Sequence, residues 1–476
     1  MNEDFWQTKQ LAEKFGNSTA LICAHAIDNT EACVEHISYQ QLHHLVQQAK
    51  ISLLAILVDQ KSLEQQSNKQ LVMLVAHQSI NSIVYYLAAL QLEFVVWWLD
   101  KNITADNKQK LIDLYQVNLL VDDGEITSLS SNNHELHQDL ALLITTSGST
   151  GSPNLIKLSY QNLQSNCQAI CNTLKLQSTD TVITTLPLHY SFGLSVVNTH
   201  LNQGTALVLN EYSLLTRDFW LLFKQCDIRC LYGVPYHYQM LLKLKLNRLS
   251  LDSLRFFAVA GGRLLPDQVS EINNWCLDNN KHFFVMYGQT EATARISVLA
   301  PEKVASKPYA IGQAIFGGKL WLEGDELCYS GPNVMMGIAK NISGLSLPVQ
   351  KQVLHTGDLA LCDDDGDYQI IGRLKRFIKI IGQRINLDEV EQFFHERKLT
   401  VVCSGQDDLI SCYMVKSSVT SEYSPDISQK LLSQFLNIHS SYCQCILIDK
   451  IPYSSSGKIN YPALTSLNED QEKGTS

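Results

Sequence analysis

The feature that most constrains the fold of this chain is an alternation of short apolar runs with helix-like segments. Residues 71–75 and 94–98 are apolar runs of strand length, and residues 80–92 between them have the apolar spacing of a helix. The same rhythm returns at residues 254–286. Strands that alternate with helices are typical of a layered α/β domain with a mostly parallel sheet. We therefore predict an α/β fold whose large N-terminal domain is built from layered βα substructures.

The pattern changes after about residue 317, where short β-like runs come in pairs. Gly324-Asp325 separates one pair, which is a hairpin signal, and the turn-like run 363–366 separates a second pair. Residues 387–397 then place apolar side chains on one helical face. These features predict a β-rich subdomain on the large domain, followed by a small, mobile α+β domain. We place the boundary between an N-terminal domain, 1–373, and a C-terminal domain, 374–476.

Composition and charge exclude several classes of protein. The chain has 476 residues, a formal net charge of -10 and a sequence pI of about 5.8. Because nucleic-acid binding needs a basic face, no nucleic acid is expected as a partner. Residues 71–99 are interrupted by polar side chains, residues 1–10 lack the apolar core of a signal peptide, and the 13 cysteines have no recurring paired spacing. We expect a soluble, cytoplasmic protein with reduced thiols and no membrane span.

A run of small polar residues follows the apolar run 141–145. Its backbone N–H groups and hydroxyls can converge on an anion such as a phosphate. Taken alone, a cluster of this composition is more often an ordinary loop, and it matches neither the P-loop nor the dinucleotide-binding fingerprint. The run reads Thr146, Ser147, Gly148, Ser149, Thr150, Gly151, Ser152 and Pro153.

Five further short motifs lie at the ends of apolar runs or in turns, and each has an ordinary structural explanation when taken alone. Gly261-Gly262 would be a strand-end turn, Thr290-Glu291 a helix cap, and Lys458 a solvated charge. His189, in the run 186–193, is equally well explained as a packed core side chain. The five motifs are Gly261-Gly262, Tyr287-Gly288-Gln289-Thr290-Glu291, Thr356-Gly357-Asp358, Gly372-Arg373 and Gly457-Lys458-Ile459.

In this order and at these spacings, the motifs resemble those of the acyl-adenylate-forming superfamily, which includes acyl-CoA synthetases, adenylation domains of peptide synthetases and luciferases. The resemblance covers about residues 21–464. It implies that the chain uses ATP and Mg²⁺ to convert a carboxylic acid into an acyl-adenylate, and then passes the acyl group to a thiol. The thiol would belong to coenzyme A or to the phosphopantetheine arm of an acyl or peptidyl carrier protein, and the sequence leaves the two open.

The resemblance also implies a role for each motif. Glu291 would hold Mg²⁺, Thr290 would contact the phosphate, and Lys458 would be the catalytic lysine of the C-terminal domain. Lys375 would be the hinge about which that domain rotates between the two half-reactions. The acyl pocket would be lined by His189, Tyr190, Gly193 and Gly288. The ATP or AMP site would be formed by Thr146, Ser147, Gly148, Ser149, Thr150, Gly151, Gly261, Gly262, Tyr287, Gly288, Asp358 and Arg373.

The chain departs from the family pattern at a few positions. Asn154 stands where the loop usually has a lysine, and Lys157 comes three positions later. Tyr190 stands where acyl-CoA synthetases often have a histidine. No acidic residue occurs between Asp180 and Glu211 to pair with an ammonium group, which favours a fatty, hydroxy or aryl acid over an amino acid. A degenerate adenylate-binding protein without full ligase activity is the alternative, supported by Asn154.

Overall fold

Helices and strands alternate along the chain, and the predicted α/β class is confirmed. The computed structural model describes residues 4–27, 32–58, 69–131, 135–146, 154–349, 353–381, 383–406, 408–454, 457–464 and 466. The α-helices within these ranges are α1 (Thr8–Phe15), α2 (Tyr39–Val58), α3 (Ile80–Gln91), α4 (Ala105–Tyr115), α5 (Tyr160–Leu174), α6 (Ser191–Gln203), α7 (Arg217–Gln225), α8 (Pro235–Leu244), α9 (Pro266–Asp278), α10 (Leu387–His395) and α11 (Pro425–Leu436).

The strands fall into five sheets. They are β1 (Thr19–Ile27), β2 (Ala32–Ser38), β3 (Leu71–Val75), β4 (Val95–Leu99), β5 (Leu119–Asp122), β6 (Glu125–Ser128), β7 (Leu140–Thr146), β8 (Asn154–Ser159), β9 (Thr181–Ile183), β10 (Ala206–Leu209), β11 (Cys230–Gly233), β12 (Phe256–Val259), β13 (His282–Tyr287), β14 (Ser297–Leu299), β15 (Gln313–Ala314), β16 (Lys319–Glu323), β17 (Glu326–Ser330), β18 (Gly337–Ala339), β19 (Val353–Cys362), β20 (Tyr368–Arg373), β21 (Phe377–Ile380), β22 (Gln383–Asn386), β23 (Val401–Gln406), β24 (Leu409–Val415) and β25 (Cys443–Ile448).

The chain divides into two compact units. The first comprises Met1–Leu320 and Tyr329–Leu354, and the second comprises Trp321–Cys328 and His355–Ser476. The second unit therefore takes in residues 355–373 as well as the whole of the predicted C-terminal domain. The domain boundary after residue 373 stays a prediction.

Two large sheets with parallel centres form the frame of the first unit. The nine-stranded sheet has the order β15-β14-β13-β12-β11-β9-β10-β1-β2, with parallel pairing from β13 to β1 and antiparallel strands at both edges. The seven-stranded sheet has the order β18-β8-β7-β4-β3-β5-β6. The predicted βαβ segments are confirmed as β3-α3-β4 and β12-α9-β13, because the strands in each segment pair in parallel or lie in one parallel sheet.

Helices from the middle of the first unit pack against both sheets. α3 contacts β3 and β4 while α2 contacts β1 and β2, and the two helices pack on each other. α5 and α6 repeat this arrangement, with α5 on β7 and β8 and α6 on β10. Because buried apolar side chains such as Trp98, Leu142 and Phe192 fill one continuous cluster there, this helical layer forms the main core. Ser159 is the N-cap of α5 and forms a capping box with Asn162.

The described part of the second unit is built from short, mostly antiparallel strands and the helices α10 and α11; β24 and β25 pair in parallel. The four-stranded sheet β16-β17-β19-β20 contains both predicted hairpins, and β21-β22 and β23-β24-β25 form two smaller sheets. The predicted helix after residue 386 is confirmed as α10, which buries Val390 and Phe394. Within the described residues, no helix combines the length and the apolar character that crossing a membrane requires.

Candidate active site

The carboxyl ends of four neighbouring strands meet at one edge of the nine-stranded sheet. β9, β11, β12 and β13 lie side by side and pair in parallel. The segment after β9 contains His189, Tyr190 and Gly193, the loop after β12 contains Gly261, and β13 ends at Tyr287. Ligands of open α/β sheets bind at such an edge because the loops that follow the strands converge there.

Three of these segments are in direct contact. Gly261 has a φ of +81°, and a Cβ atom at this position would lie 2.4 Å from Tyr190 Oη, so only glycine fits against the tyrosine. Ser191 Oγ lies 3.0 Å from Thr290 Oγ1 and forms a hydrogen bond with it. Burial raises the pKa of Tyr190 to about 12, so its hydroxyl group is neutral at physiological pH. Tyr190, Gly261 and Thr290 therefore belong to one site.

The turn that follows β13 is held tightly. A Cβ atom at Gly288 would lie 1.8 Å from the carbonyl oxygen of Ala294 and 2.8 Å from Cα of Arg295. The two backbone segments can therefore approach each other this closely only because residue 288 is glycine. The Asn333 side chain donates hydrogen bonds from Nδ2 to the carbonyl oxygens of Ala292, at 2.9 Å, and Arg295, at 2.8 Å. The segment directly after Thr290 and Glu291 is thus held at two carbonyl groups by Asn333, and the backbone of Gly288 packs against it.

Glu291 is suited to holding a cation. Its side chain is half-buried, and its carbonyl oxygen accepts a hydrogen bond of 2.8 Å from the Met335 backbone. In the part of the chain that the structure describes, no lysine or arginine pairs with its carboxylate. A half-buried carboxylate without a cationic partner fits a hard divalent ion such as Mg²⁺.

The other predicted residues of the first unit are placed less completely. Gly193 is buried in the first turn of α6, Gly262 is exposed beyond β12, and the Gln289 side chain donates a hydrogen bond of 3.1 Å to Tyr287 Oη. Thr146 ends β7, where its backbone pairs with Asn154. The remaining predicted phosphate-loop residues, Ser147, Gly148, Ser149, Thr150 and Gly151, lie outside the described residues.

Lys157 does not take the place of the loop lysine that Asn154 replaces. Its side chain is buried, and Nζ donates hydrogen bonds of 2.9 Å to the carbonyl oxygens of Gly344 and Leu347. Burial lowers the pKa of this amine, and the two carbonyl groups hold it away from the strand ends. Lys157 has a structural role, as its position inside β8 indicates.

His189 has an acidic neighbour that was not predicted from the sequence. Its Nε2 atom lies 3.6 Å from Oδ2 of Asp100, which comes directly after β4. Burial lowers the pKa of His189, and Asp100 acts in the opposite direction. The segment between Asp180 and Glu211 has no acidic residue, but the fold brings a carboxylate beside it from the other sheet. Although the sequence segment contains no acidic residue, a carboxylate therefore does lie beside His189.

In the second unit, Asp358 and Arg373 are brought together on adjacent strands. They are opposite each other in the β19–β20 register, and Arg373 Nε lies 2.9 Å from Asp358 Oδ1. Asp358 is 2% exposed, whereas Arg373 is largely exposed. The backbone N–H of Asp358 donates a hydrogen bond of 3.1 Å to Thr356 Oγ1. The arginine thus orients a buried carboxylate at the end of the predicted Thr-Gly-Asp motif.

The two remaining predicted residues, Lys458 and Lys375, also lie in the second unit. Lys458 is exposed in a tight turn that is closed by a backbone bridge between Tyr453 and Ile459 and by a 2.8 Å hydrogen bond from Ser454 N to its carbonyl oxygen. Lys375 is the central residue of the 3-10 helix Leu374–Arg376, and its side chain lies outside what the structure describes.

Comparison with known proteins identifies the family of the region that contains the strand-end site. Residues 129–339 match the AMP-binding enzyme family. This region of the chain is therefore similar to AMP-binding enzymes. The match includes the predicted phosphate loop, the segment with Tyr190 and the Thr-Glu motif, and the predicted resemblance to the acyl-adenylate-forming superfamily is confirmed.

Two curated relatives resemble this chain over much of its length. The anguibactin system regulator of Vibrio anguillarum is 26% identical over 395 residues, which cover 73% of this chain but 36% of the regulator. The L-proline–[L-prolyl-carrier protein] ligase of Pseudomonas fluorescens is 26% identical over 357 residues, 68% of each chain. The chain therefore spans well under half of the regulator's length.

Solved structures resemble this chain from end to end. The o-succinylbenzoate CoA synthetase from Bacillus subtilis, in complex with its acyl-adenylate intermediate, has a TM-score of 0.75 at 19% identity, covering 97% of this chain and 98% of that chain. The same enzyme in complex with ATP and a magnesium ion also gives 0.75 at 19% identity, covering 96% and 98%. At this identity the likeness shows the fold, and it confirms the predicted fold class.

Sequence reasoning missed one charged residue beside the site of the AMP-binding domain. Arg295 follows the turn after β13 and is 1% exposed. Its guanidinium carbon lies 3.8 Å from the centre of the Phe192 ring, and its Nε donates a hydrogen bond of 3.4 Å to Met286 Sδ. A basic residue inside the run 292–299, which otherwise consists of apolar residues and the small hydroxyl residues Thr293 and Ser297, was the signal that could have found it.

Proposed function

We propose that this chain is an AMP-forming acid–thiol ligase. In the first half-reaction a carboxylate oxygen attacks the α-phosphorus of ATP, and the bond to the bridging oxygen breaks to release pyrophosphate. In the second, a thiol loses its proton and attacks the acyl carbon, and the acyl–oxygen bond breaks to release AMP. The observation that carries the proposal is that Tyr190 lies against Gly261 while the next residue, Ser191, is hydrogen-bonded to Thr290, at one edge of the parallel sheet.

The first half-reaction is slow without an enzyme mainly because two anions must meet. Catalysis therefore consists largely of charge neutralisation and alignment. Glu291 would hold Mg²⁺, which when bound supplies positive charge to the phosphate oxygens. Its half-buried carboxylate, unpaired within the described ranges, supports this assignment. The backbone N–H groups and hydroxyl groups of residues 146–151 would bind the same phosphates.

The side chains at the strand ends would orient the two substrates. Thr290, held by Ser191 through the 3.0 Å hydrogen bond, would direct its hydroxyl at the α-phosphate. Tyr287 would lie against the adenine, and Asp358, oriented by Arg373, would accept hydrogen bonds from the ribose hydroxyls. His189, Tyr190, Gly193 and Gly288 would line the acyl pocket.

The second unit would supply Lys458 to the first half-reaction and then move away by rotation about Lys375. The exposed position of Lys458 in a closed turn supports a role that requires it to reach another part of the protein. Because the similar proteins include a coenzyme A synthetase and a carrier-protein ligase, coenzyme A or a carrier-protein phosphopantetheine is the proposed acceptor. Because the reaction consumes ATP, we infer a cytoplasmic location.

The acid is proposed to be a fatty, hydroxy or aryl acid and not an α-amino acid. The support now comes from Arg295, since a buried cation next to Phe192 and Tyr190 would repel a substrate ammonium group. Asp100 beside His189 is the one acidic residue that the described part of the chain places there, and it already interacts with the histidine.

The test is ATP–pyrophosphate exchange with the full chain across a panel of carboxylic acids. We expect exchange with at least one acid, and Lys458→Ala should slow it by about 10²–10³-fold, because one preorganised charge is lost from the transition state. Lys450→Ala, which removes another exposed lysine of the same unit, is the matched control and should leave the rate unchanged.

The alternative, a degenerate adenylate-binding protein, makes a different prediction. Asn154 in place of the loop lysine, with Lys157 committed to backbone carbonyl groups, supports it. Such a protein would bind ATP but exchange no pyrophosphate with any acid, and that result would reject the ligase. Unchanged exchange in Lys458→Ala would reject only the role of that lysine.

A further inference from the structure

Arg295 is a buried cation for which the protein provides no anion. Its two terminal nitrogens, Nη1 and Nη2, are both buried and have no hydrogen-bond partner in the part of the chain that the structure describes. Burial lowers the pKa of the guanidinium to about 10, so it is still charged at neutral pH. The groups that raise this pKa in opposition to burial are the hydroxyl groups of Tyr232 and Tyr190, which are neutral at physiological pH, and no carboxylate is among them. A buried charge in this state is costly unless an anion pairs with it.

The chain pairs other arginines in the ordinary way. Arg255 makes two hydrogen bonds to the Asp180 carboxylate, at 2.9 and 2.5 Å. Arg376, in the second unit, lies 2.6 Å from both Asp388 and Glu391. Arg295 thus differs from Arg255 and Arg376, which are both paired with carboxylates.

The backbone and the side chain of Arg295 are both held in place. The backbone carbonyl oxygen of Arg295 accepts hydrogen bonds from Asn333 and from Asn166, at 2.8 and 3.1 Å, and Gly288 packs against the Cα atom of Arg295. The Phe192 ring covers one face of the guanidinium. A planar cation fixed in this way is suited to bidentate pairing with a carboxylate, because little entropy is lost when the two hydrogen bonds form.

The surroundings of Arg295 are those of the acyl pocket. Phe192 is two residues from Tyr190, their rings are 6.2 Å apart, and Gly288 is itself a predicted pocket residue. An anion that reaches Arg295 would therefore be part of the acid substrate. The carboxylate to be activated must meet the phosphate near Thr290, so the group that pairs with Arg295 is a second one.

We propose that Arg295 binds a second carboxylate of the substrate, and that this chain activates dicarboxylic acids. The inference rests on the proposed ligase function and narrows its substrate class. Arg295 acts as a specificity-determining residue: it selects the diacid and stays outside the bond-forming steps at the α-phosphate.

The experiment is ATP–pyrophosphate exchange with the full chain on matched pairs of acids, glutarate against valerate and terephthalate against benzoate. We expect the diacid of at least one pair to have a kcat/KM about tenfold higher or more. Arg295→Met should lower kcat/KM for that diacid by about 10–100-fold, the effect of losing hydrogen bonds to a charged group. The loss should appear in the KM of the acid, with the KM of ATP and the rate with the monoacid unchanged, and Arg295→Lys should retain part of the preference.

The matched control is Arg263→Met, which removes an exposed arginine next to Gly262 and should leave the preference intact. Thermal unfolding separates a structural role from a binding role. Arg295→Met should melt at the same temperature as the natural protein or higher, because the substitution removes an unpaired buried charge. A lower melting temperature with equal losses on both acids of a pair would overturn the proposal.

The proposed ligase function and the diacid inference would be contradicted by different results. If the natural protein exchanges pyrophosphate with no acid at all, the proposed ligase function is wrong. If it exchanges with monoacids at least as well as with diacids, and Arg295→Met changes neither, only the diacid inference is wrong and the ligase function stands.

Discussion

Gly288 is the single residue whose replacement the backbone tolerates least. A Cβ atom there would lie 1.8 Å from a backbone carbonyl oxygen, which cannot move away as a flexible side chain could. We expect Gly288→Ala to destabilise the protein by about 3 kcal/mol, because the turn carrying Thr290 and Glu291 must shift. Thermal or denaturant unfolding would measure this.

Gly262→Ala is the control for this substitution. A Cβ atom at Gly262 would meet only the Pro235 ring, at 3.2 Å, so its cost should stay below about 1 kcal/mol. Equal destabilisation by the two substitutions would mean that the backbone contact between Gly288 and residues 294–295 adapts to a side chain more easily than its geometry indicates.

Motif residues were predictable from the sequence, whereas the residues around them were not. Tyr190, Gly261 and Thr290 were predicted as parts of one site by resemblance, and the fold places Tyr190 against Gly261 and joins Thr290 to Ser191. Their roles stay predictions. Arg295 and Asp100 were missed because their importance depends on neighbours far away in the sequence. The contact of Asp100 with His189 exists only because β4 and β9, from two sheets, end near each other.

At the scale of elements, Arg376 joins the segment after the predicted hinge to α10. Its guanidinium is paired with Asp388 and Glu391, both on α10, and it also donates to Tyr461 Oη and to the carbonyl oxygen of Cys403. The residue directly after Lys375 is thus fixed within the second unit. If Lys375 is the hinge, its flexible part ends there.

We expect Arg376→Met to destabilise the second unit by about 3 kcal/mol, since the Glu391 carboxylate would remain buried without its cation. Hydrogen exchange would show faster exchange in α10 and in β21 to β25. Exchange in β3 and β12 of the first unit should be unchanged. Lys379→Met, an exposed lysine on β21, is the control, and a similar effect of both substitutions would argue against the network.

At the scale of the whole molecule, stability should fall as the solution is acidified, and His200 is one identifiable cause. It is fully buried, with Nδ1 2.8 Å from Thr205 Oγ1 and Nε2 3.0 Å from Tyr232 Oη. Burial lowers its pKa to about 3, whereas the unfolded chain binds a proton near the ordinary value of about 6.5. The stabilisation from its neutral form is present above about pH 6.5 and is lost as the pH falls toward 3.

Between pH 7 and pH 5 this histidine alone should cost about 2 kcal/mol of the free energy of unfolding. His200→Gln should flatten the pH dependence by that amount, whatever its effect at pH 7. His36→Gln, an exposed histidine on β2, should leave the slope unchanged. Denaturant unfolding at a series of pH values would check both, and parallel curves for His200→Gln and the natural protein would contradict the prediction.

The layered architecture was largely predictable because apolar periodicity is a local signal. The runs at 71–99 and 254–286 became βαβ units with bounds within a residue or two of those expected. The order of the strands was not predictable, since β1 joins the nine-stranded sheet through β10 while β3 and β4 join the other sheet. Which strands pair depends on packing between distant segments, and a local pattern carries no record of it.

The amide of Asn333 has a consequence for how such an enzyme can change over generations. In the turn after β13, the Asn333 side chain holds the carbonyl oxygens of Ala292, which follows the proposed metal ligand Glu291, and of Arg295, the proposed selector of the acid. A new preference reached by bending that turn would disturb the metal ligand and lower the rate. A descendant that came to prefer another acid should therefore keep Asn333 and Gly288, and differ in the side chain at position 295.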